Sequence, residues 1–307
     1  MTHFPFATQP HLLAVAQGYI HQDLIADRVL PRVRTGKKEF RYIQMQAEER
    51  LSVPDTLVSR KGRPGEVYFQ EKEAVAHTTD YALDSMVPQD DIDNAEGQYD
   101  PLANTVAGLT ELLTLDREVR VANMLSNDMN YLNDQKETLS SAEKFSDANA
   151  DPLATIGDAS EQLLHRPNVM LIGQGAWKAL SRHPKILKAV HQNTGDSGIA
   201  SSEAVARLFD FDEVLIGRGW HNTAAKGQDP AIGRIWGNDI VLMYRNPNAN
   251  LGLTSTFAVT AQYQDRLAGS VQDQNIGMRG GQRVRVGESV AELIIDPSAG
   301  YLIKGAV

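Results

Sequence analysis

The chain has no cysteine, which removes disulfides, thiolate metal sites and a cysteine nucleophile together. It also lacks any apolar run near the ~20 residues needed to span a bilayer. Its first residues carry none of the basic region, apolar stretch or small-residue cleavage site of a signal peptide, so a cytoplasmic origin is expected and no membrane partner. The eight histidines show no His-x-x-x-His or Glu-x-x-His spacing, which would set two transition-metal ligands on one helix face. Asp90, Asp91 and Asp93 lack the downstream glycine and bidentate glutamate of a calcium loop and read as a solvated helix N-terminus. No Gly-Lys-Ser/Thr occurs. Ile172-Gly173-Gln174-Gly175 stands between a strand and a helix, where a phosphate loop would sit, but Lys178 replaces the third glycine of the dinucleotide pattern. A tight strand-to-helix turn is the better reading. Gly195-Asp196-Ser197-Gly198 resembles the nucleophile segment of chymotrypsin-like proteases, yet the frame is neither all-β nor disulfide-bridged, so it reads as an interhelical loop. No cofactor, metal or catalytic residue is expected.

Strong positive charge is missing too. The net charge of -9 over 307 residues argues against a dedicated nucleic-acid binder. Its distribution is uneven: residues 1–70 carry +3, residues 71–165 carry -15 and residues 166–307 carry +3. The acidic middle either receives a neighbour's basic arm or is a solvated face that keeps the protein soluble. With 42% hydrophobic and 22% charged residues the chain is globular and long enough for two lobes.

What is present is first an arm. Glu39 to Met45 and Glu66 to Ala76 alternate with the period of two of extended strands. They flank Arg60-Lys61-Gly62-Arg63-Pro64-Gly65, rich in turn residues and positive charge. A two-stranded arm is marginal alone in water, so it is expected to be ordered by a neighbouring subunit. Residues 1–35 read as an arm with one short helix. Asp100-Pro101 opens the clearest helix, with Leu102, Val106, Leu109, Leu112, Leu113, Val119 and Leu125 at mostly helical steps; continuous to Leu125 it would be roughly 36 Å long. Later segments mix short strands (169–173, 214–217, 235–244, 256–263, 284–286, 291–295, 301–303) with helices at 153–164, 174–180, 185–190 and 202–209. Trp177, Trp220 and Trp236 are expected as core anchors.

The order of these elements, with local text such as Ile25-Ala26-Asp27-Arg28-Val29-Leu30-Pro31-Arg32-Val33, His77-Thr78-Thr79-Asp80-Tyr81-Ala82-Leu83, Glu118-Val119-Arg120-Val121-Ala122, His183-Pro184-Lys185-Ile186-Leu187 and Ile235-Trp236-Gly237-Asn238, resembles the major capsid proteins of tailed phages. The resemblance covers nearly the whole chain. It implies an α+β fold of the Hong Kong ninety-seven type: an N-terminal arm (1–35), an extended loop (36–80), a peripheral domain (81–165) with a spine helix at 100–127, an axial domain (166–250), and a C-terminal remainder (251–307) with strands returning to the peripheral domain. It further implies self-assembly through rings of five and six subunits into an icosahedral virion shell around double-stranded DNA, assembled in the host bacterial cytoplasm. A separate scaffold is expected, because no long charged leader precedes Phe4, together with a portal and decoration proteins. Candidate subunit contacts are Arg32, Arg34, Arg60, Lys61, Arg63, Tyr68 and Phe69. Lys61 is also the positional candidate for the family's occasional cross-link. Arg279, Arg283 and Arg285 form a basic cluster facing DNA or a subunit. The alternatives are an encapsulin-like nanocompartment and an intracellular α/β enzyme or ligand-binding protein using the Gly173–Gly175 turn.

Overall fold

The computed structural model describes residues 6, 8–19, 21–44, 53–60, 62–66, 72–97, 99–191, 198–225, 227–251 and 254–307. Two sheets share one long helix. The N-terminal segment supplies helix α1 (Pro10–Gly18), the short helix α2 (Ala26–Val29) and strand β1 (Arg32–Thr35), so it holds two helices where the sequence suggested one. Strands β2 (Glu39–Gln44) and β3 (Lys72–His77) pair antiparallel. Then come β4 (Thr79–Pro88), helix α3 (Gln89–Asp93) and helix α4 (Pro101–Leu125). Pro101 occupies the first turn, where its missing N–H costs nothing, and the Asp100 carboxylate accepts from the Leu102 and Ala103 amides, so this helix start is fixed locally. At 25 residues α4 is about 37 Å long.

The second half of the chain builds β5 (Lys136–Thr138), α5 (Pro152–Glu161), β6 (Val169–Gly173), α6 (Gln174–Leu180), α7 (Pro184–His191), α8 (Ser202–Phe209), β7 (Glu213–Gly217), β8 (Trp220–Asn222), β9 (Ile232–Arg234), β10 (Ile240–Met243), β11 (Ala258–Asp273), β12 (Gly281–Ile294) and β13 (Gly300–Lys304). One sheet has the order β1-β11-β12-β4, the other β5-β13-β10-β6-β7. In the latter, Met170 and Ile172 of β6 with Ile240 and Leu242 of β10 face the core formed by α5 to α8. Val169, Leu171, Val241 and Met243 face a second core containing Val121 and Leu125 of α4. Burial on both faces is why these strands read as unbroken apolar runs. The N-terminal half of α4, through Val106, Leu109 and Leu113, packs instead with α1 and the four-stranded sheet. The helix therefore couples both lobes.

Several sequence expectations change. The segments 256–263, 284–286 and 291–295 are parts of one hairpin, β11 and β12, 16 and 14 residues long. Its distal half, residues 266–273 and 281–287, mixes polar residues and glycines with few apolar ones, which obscured its length. The run 235–244 is extended as a strand only at 240–243, because residues 236–238 cross the β6–α6 turn. Residues 136–163, grouped above with the spine helix, pack in the other lobe: β5 pairs with β13, and Leu139, Phe145 and Ile156 share the core of Met170 and Trp177. Of the second stretch of the arm, residues 72–76 are in a strand and residue 66 is not, as residues 62–65 before it are not, while residues 67–71 lie outside the described residues. Trp177 and Trp236 are buried, but Trp220 is 52% exposed under the Arg234 guanidinium, so it anchors no core.

The Gly173–Gly175 turn explains itself here. A Cβ on Gly173 would lie 1.7 Å from the Gly237 carbonyl oxygen, and one on Gly175 would lie 2.3 Å from Asn238 Oδ1. The space a phosphate would need is filled by the chain's own 237–238 segment. Gly173→Ala is accordingly expected to cost about 3 kcal/mol, whereas Gly157→Ala, on α5 with nothing near the added carbon, should gain about 0.5–1 kcal/mol; urea unfolding of both variants checks this.

Candidate functional site: the polar junction and the assembly surfaces

Two adjacent residues of α4, Arg117 and Glu118, are fully buried, although the apolar periodicity of that helix gave no sign of it. Glu118 Oε1 accepts from the Ile25 amide at 3.0 Å and the Trp236 indole N–H at 2.6 Å, and Oε2 accepts from the Ala26 amide at 2.7 Å. One carboxylate thus ties the spine helix to the start of α2 and to the segment plugging the β6–α6 turn. Burial pushes its pKa up, and the three donors only partly offset that. Arg117 turns toward the four-stranded sheet. It donates to Asp27 and, at 2.8 Å, to the Thr260 hydroxyl.

Arg32 joins the same network, donating to Asp27 at 2.6 Å, Gln262 at 3.1 Å and Glu288 at 2.9 Å. Arg266 binds Glu288 at 3.0 Å and the Ala16 carbonyl at the end of α1 at 2.8 Å. A β-bulge between Tyr263 and Leu267 interrupts the ladder there. Gln264 within it has φ +58°, and such bulges re-aim side chains. Burial alone would raise the Asp27 carboxyl, but the Arg117 and Arg32 charges and hydrogen bonds outweigh it and hold it at about 2. Burial likewise opposes the Glu288 carboxylate, yet Arg32, Arg266 and Arg117 keep it below the ordinary range.

The structure distributes the sequence candidates differently from one another. Arg32 is a member of this internal network. Arg34 is 79% exposed at its side chain and pairs with Asp265 at 2.6 Å. Arg279, Arg283 and Arg285 are each matched by a carboxylate of the same chain, Asp90 at 3.0 Å, Asp273 at 2.7 Å and Asp84 at 2.6 Å, and Arg285 also lies over the Phe6 ring. They do not form an open basic patch. Arg60 and Arg63 are exposed on a segment, residues 53–60 and 62–66, in which every described residue is exposed. Lys61, Tyr68 and Phe69, like Gly195, Asp196 and Ser197, lie outside the described residues. Among the described residues no group of three His, Asp or Glu is placed to hold a metal, and no helix is long and apolar enough to cross a membrane.

Comparison with known proteins places this geometry. A family model described as phage major capsid protein E matches residues 121–273. The chain is 41% identical over 307 residues to a major capsid protein of Pseudomonas phage JBD67, covering 100% of this chain and 99% of that one. It is 27% identical over 304 residues to a major capsid protein of Burkholderia phage BcepMu, covering 96% and 95%. A solved phage-related protein from Bordetella bronchiseptica RB50 superposes with a TM-score of 0.78 at 21% identity over 99% of both chains, a likeness of fold. The fold is α+β, of the Hong Kong ninety-seven capsid type. The chain belongs to the phage major capsid protein family, and its role is structural.

The junction makes two testable statements. Asp27 has a folded-state pKa of about 2, below its unfolded one, so the stability it contributes is present above about pH 4 and is lost as pH falls toward 2; Glu288, also lowered, acts in the same direction. Asp27→Asn should flatten that acid limb in a pH series of thermal melts. Glu118→Ala, which strands three buried donors, is expected to cost about 3–5 kcal/mol in denaturant unfolding.

Proposed function

We propose that this chain is the principal subunit of a phage head and closes into an icosahedral shell around double-stranded DNA through rings of five and six copies. The observation that carries this reading is the match to phage major capsid proteins along the entire chain together with an arm whose described residues 53–60 and 62–66 are all exposed. Among the described residues the arm pairs over 39–44 and 72–77, and Val53 is 92% and Leu57 87% exposed. A monomer in water gains nothing from holding these side chains out. A neighbour covering them accounts for the arm, and heterologous contacts of this kind generate rings and closed shells.

In this reading the four-stranded sheet with α4 is the peripheral domain and the five-stranded sheet with α5 to α8 is the axial domain. Residues 36–80 act as the extended loop that engages neighbouring copies, whereas residues 8–35 of the N-terminal arm pack largely on their own subunit. DNA is contacted without sequence preference, and assembly takes place in the host cytoplasm with a separate scaffold, a portal and decoration proteins as partners. An encapsulin-like use has less support, because both full-length relatives are phage proteins. An enzyme or ligand-binding use of the Gly173–Gly175 turn has the 237–238 plug against it.

Negative-stain electron microscopy with light scattering, on the protein expressed alone and with its genomic neighbours, tests the proposal. Closed shells or five- and six-membered rings support it; a persistent monomer or dimer under both conditions overturns it. Deleting residues 48–65 should leave the melting transition of the soluble subunit intact while sharply lowering particle yield, and normal particles from that deletion would refute the role of the loop.

A further inference from the structure

The ribbon of β2 and β3 at the base of the extended loop has its root on the four-stranded sheet, because β1 leads into β2 and β3 leads into β4. There the Thr78 amide bonds the Lys38 carbonyl at 2.9 Å, and Lys38 Nζ meets Asp80 at 2.5 Å. Held by its root alone, a two-stranded ribbon would be marginal and free to swing. This one is sheltered on one side. Phe40, Tyr42 and Ala74 are half-buried and Ala76 is buried, whereas Glu39, Arg41, Glu73 and Val75 of the opposite face are exposed. Burial also pushes the Tyr42 hydroxyl above its ordinary pKa.

A second support comes from the other lobe. The Ile43 amide faces away from β3 and donates to the Leu251 carbonyl at 3.2 Å, four residues beyond the start of β2 at Glu39 and so about 13 Å along the strand. In an antiparallel ladder alternate amides point the same way. The Arg41 amide therefore also faces outward, and it meets no acceptor among the described residues. Leu251 ends a segment fixed to the five-stranded sheet. Asn168, beside β6, bonds the Arg245 carbonyl at 2.8 Å and the Arg245 amide at 2.7 Å. Arg245 in turn pairs with Glu213 of β7 at 2.6 Å. The Asn246 amide bonds the hydroxyl of Thr256, a buried residue, at 3.3 Å. Asn246 then closes a turn, its side chain accepting from the Asn248 amide and its carbonyl from the Ala249 amide, and Pro247 within that turn removes backbone freedom. The segment is stiff, and the ribbon touches it near its far end.

We propose that residues 245–251 form a rest for the extended loop within its own subunit, and that the bond from Ile43 to Leu251 aims the loop before a neighbour arrives. The use of such a rest depends on the shell reading; its existence does not. A loop already pointing in its final direction loses less freedom when it is captured, so more of the contact energy appears as association. The two supports stand on different lobes, the root on the four-stranded sheet and the rest on the five-stranded one. The direction of the loop therefore follows the placement of the lobes, which Arg117 and Glu118 fix. One hydrogen bond contributes modestly, so the rest biases the loop without locking it, and the loop can still adjust to the copy it meets.

Amide hydrogen exchange on the unassembled natural chain reads the rest directly. The Ile43 amide should exchange about tenfold more slowly than the Arg41 amide; equal rates overturn the proposal. Proline substitution then reads its use, because an edge strand tolerates proline where the lost N–H faces outward. Ile43→Pro removes the bond to Leu251. Arg41→Pro puts the same constraint on β2 and gives up only an exposed ion pair with Glu73, while Ile43→Ala keeps the amide and loses most of the side chain. All three should melt like the natural chain. Ile43→Pro should lower particle yield about threefold or more, and the other two should stay within about twofold. A loss with Ile43→Ala as large as with Ile43→Pro would assign the effect to packing, and equal yields from the two proline variants would show that the bond aims nothing; either result overturns the aiming role. If the natural chain forms no particles at all, the shell reading falls, and the exchange comparison still decides whether the rest exists.

Discussion

The architecture depends on placing two opposite charges, Arg117 and Glu118, next to each other on a buried helix and pointing them at different lobes. Isolated buried charges of this kind are prohibitive, and they persist only where every lone pair and proton finds a partner. Glu118 meets that condition with three N–H donors from two separate segments, and Arg117 meets much of it with Asp27 and Thr260. Because the donors come from residues 25–26 and 236, the N-terminal segment and the second lobe must both be in place before the helix can be buried. A hydrophobic pair at the same positions would pack with many orientations of the lobes; this pair accepts one.

The rest of the four-stranded sheet follows from that requirement. Arg117 needs Asp27, Asp27 shares Arg32, and Arg32 reaches Glu288, so β1 must lie along β11 in the register Arg32↔Thr260. Glu288 then holds Arg266, which the bulge at Gln264 turns toward the last carbonyls of α1. A cationic group at a helix C-terminus is favourable in itself, and here it locks α1 onto the sheet. The N-terminal residues are thus integrated into the subunit by electrostatics as well as by Leu12 and Ala16 in the core.

How far this was legible in the sequence depended on whether a feature was local. The start of α4 was readable because Asp100-Pro101 is a self-contained capping signal, and β6 was readable because burial on both faces leaves an apolar run. The glycines of the β6–α6 turn were recognised as turn residues, but the reason for them is the carbonyl of Gly237, more than sixty residues away, and no local pattern reports that. Glu118 and Arg117 look like surface residues of a helix because their partners are brought in by tertiary structure. Arg279, Arg283 and Arg285 look like a basic cluster for the same reason: the strand register that sets Asp84 opposite Arg285 appears only once β4 and β12 pair. Leu112 failed in the opposite direction, since it satisfies the helical period yet is 55% exposed.

This pattern of internal satisfaction bears on how the subunit meets its neighbours. A cation already matched within its own subunit, as Arg279, Arg283 and Arg285 are, contributes less to association than an unmatched one. Surface ion pairs contribute little individually, with a median of about 0–1 kcal/mol, so a shell cannot derive its cohesion from any single one. It can derive it from repetition, because each copy held by one contact raises the effective concentration for the next. Weak contacts have a further consequence: a wrongly seated subunit can leave before it is trapped. The buried network, by contrast, is strong and cooperative, and belongs to the subunit alone. Rigidity is therefore concentrated where the lobes join, at Glu118 and the Asp27, Arg32 and Glu288 network.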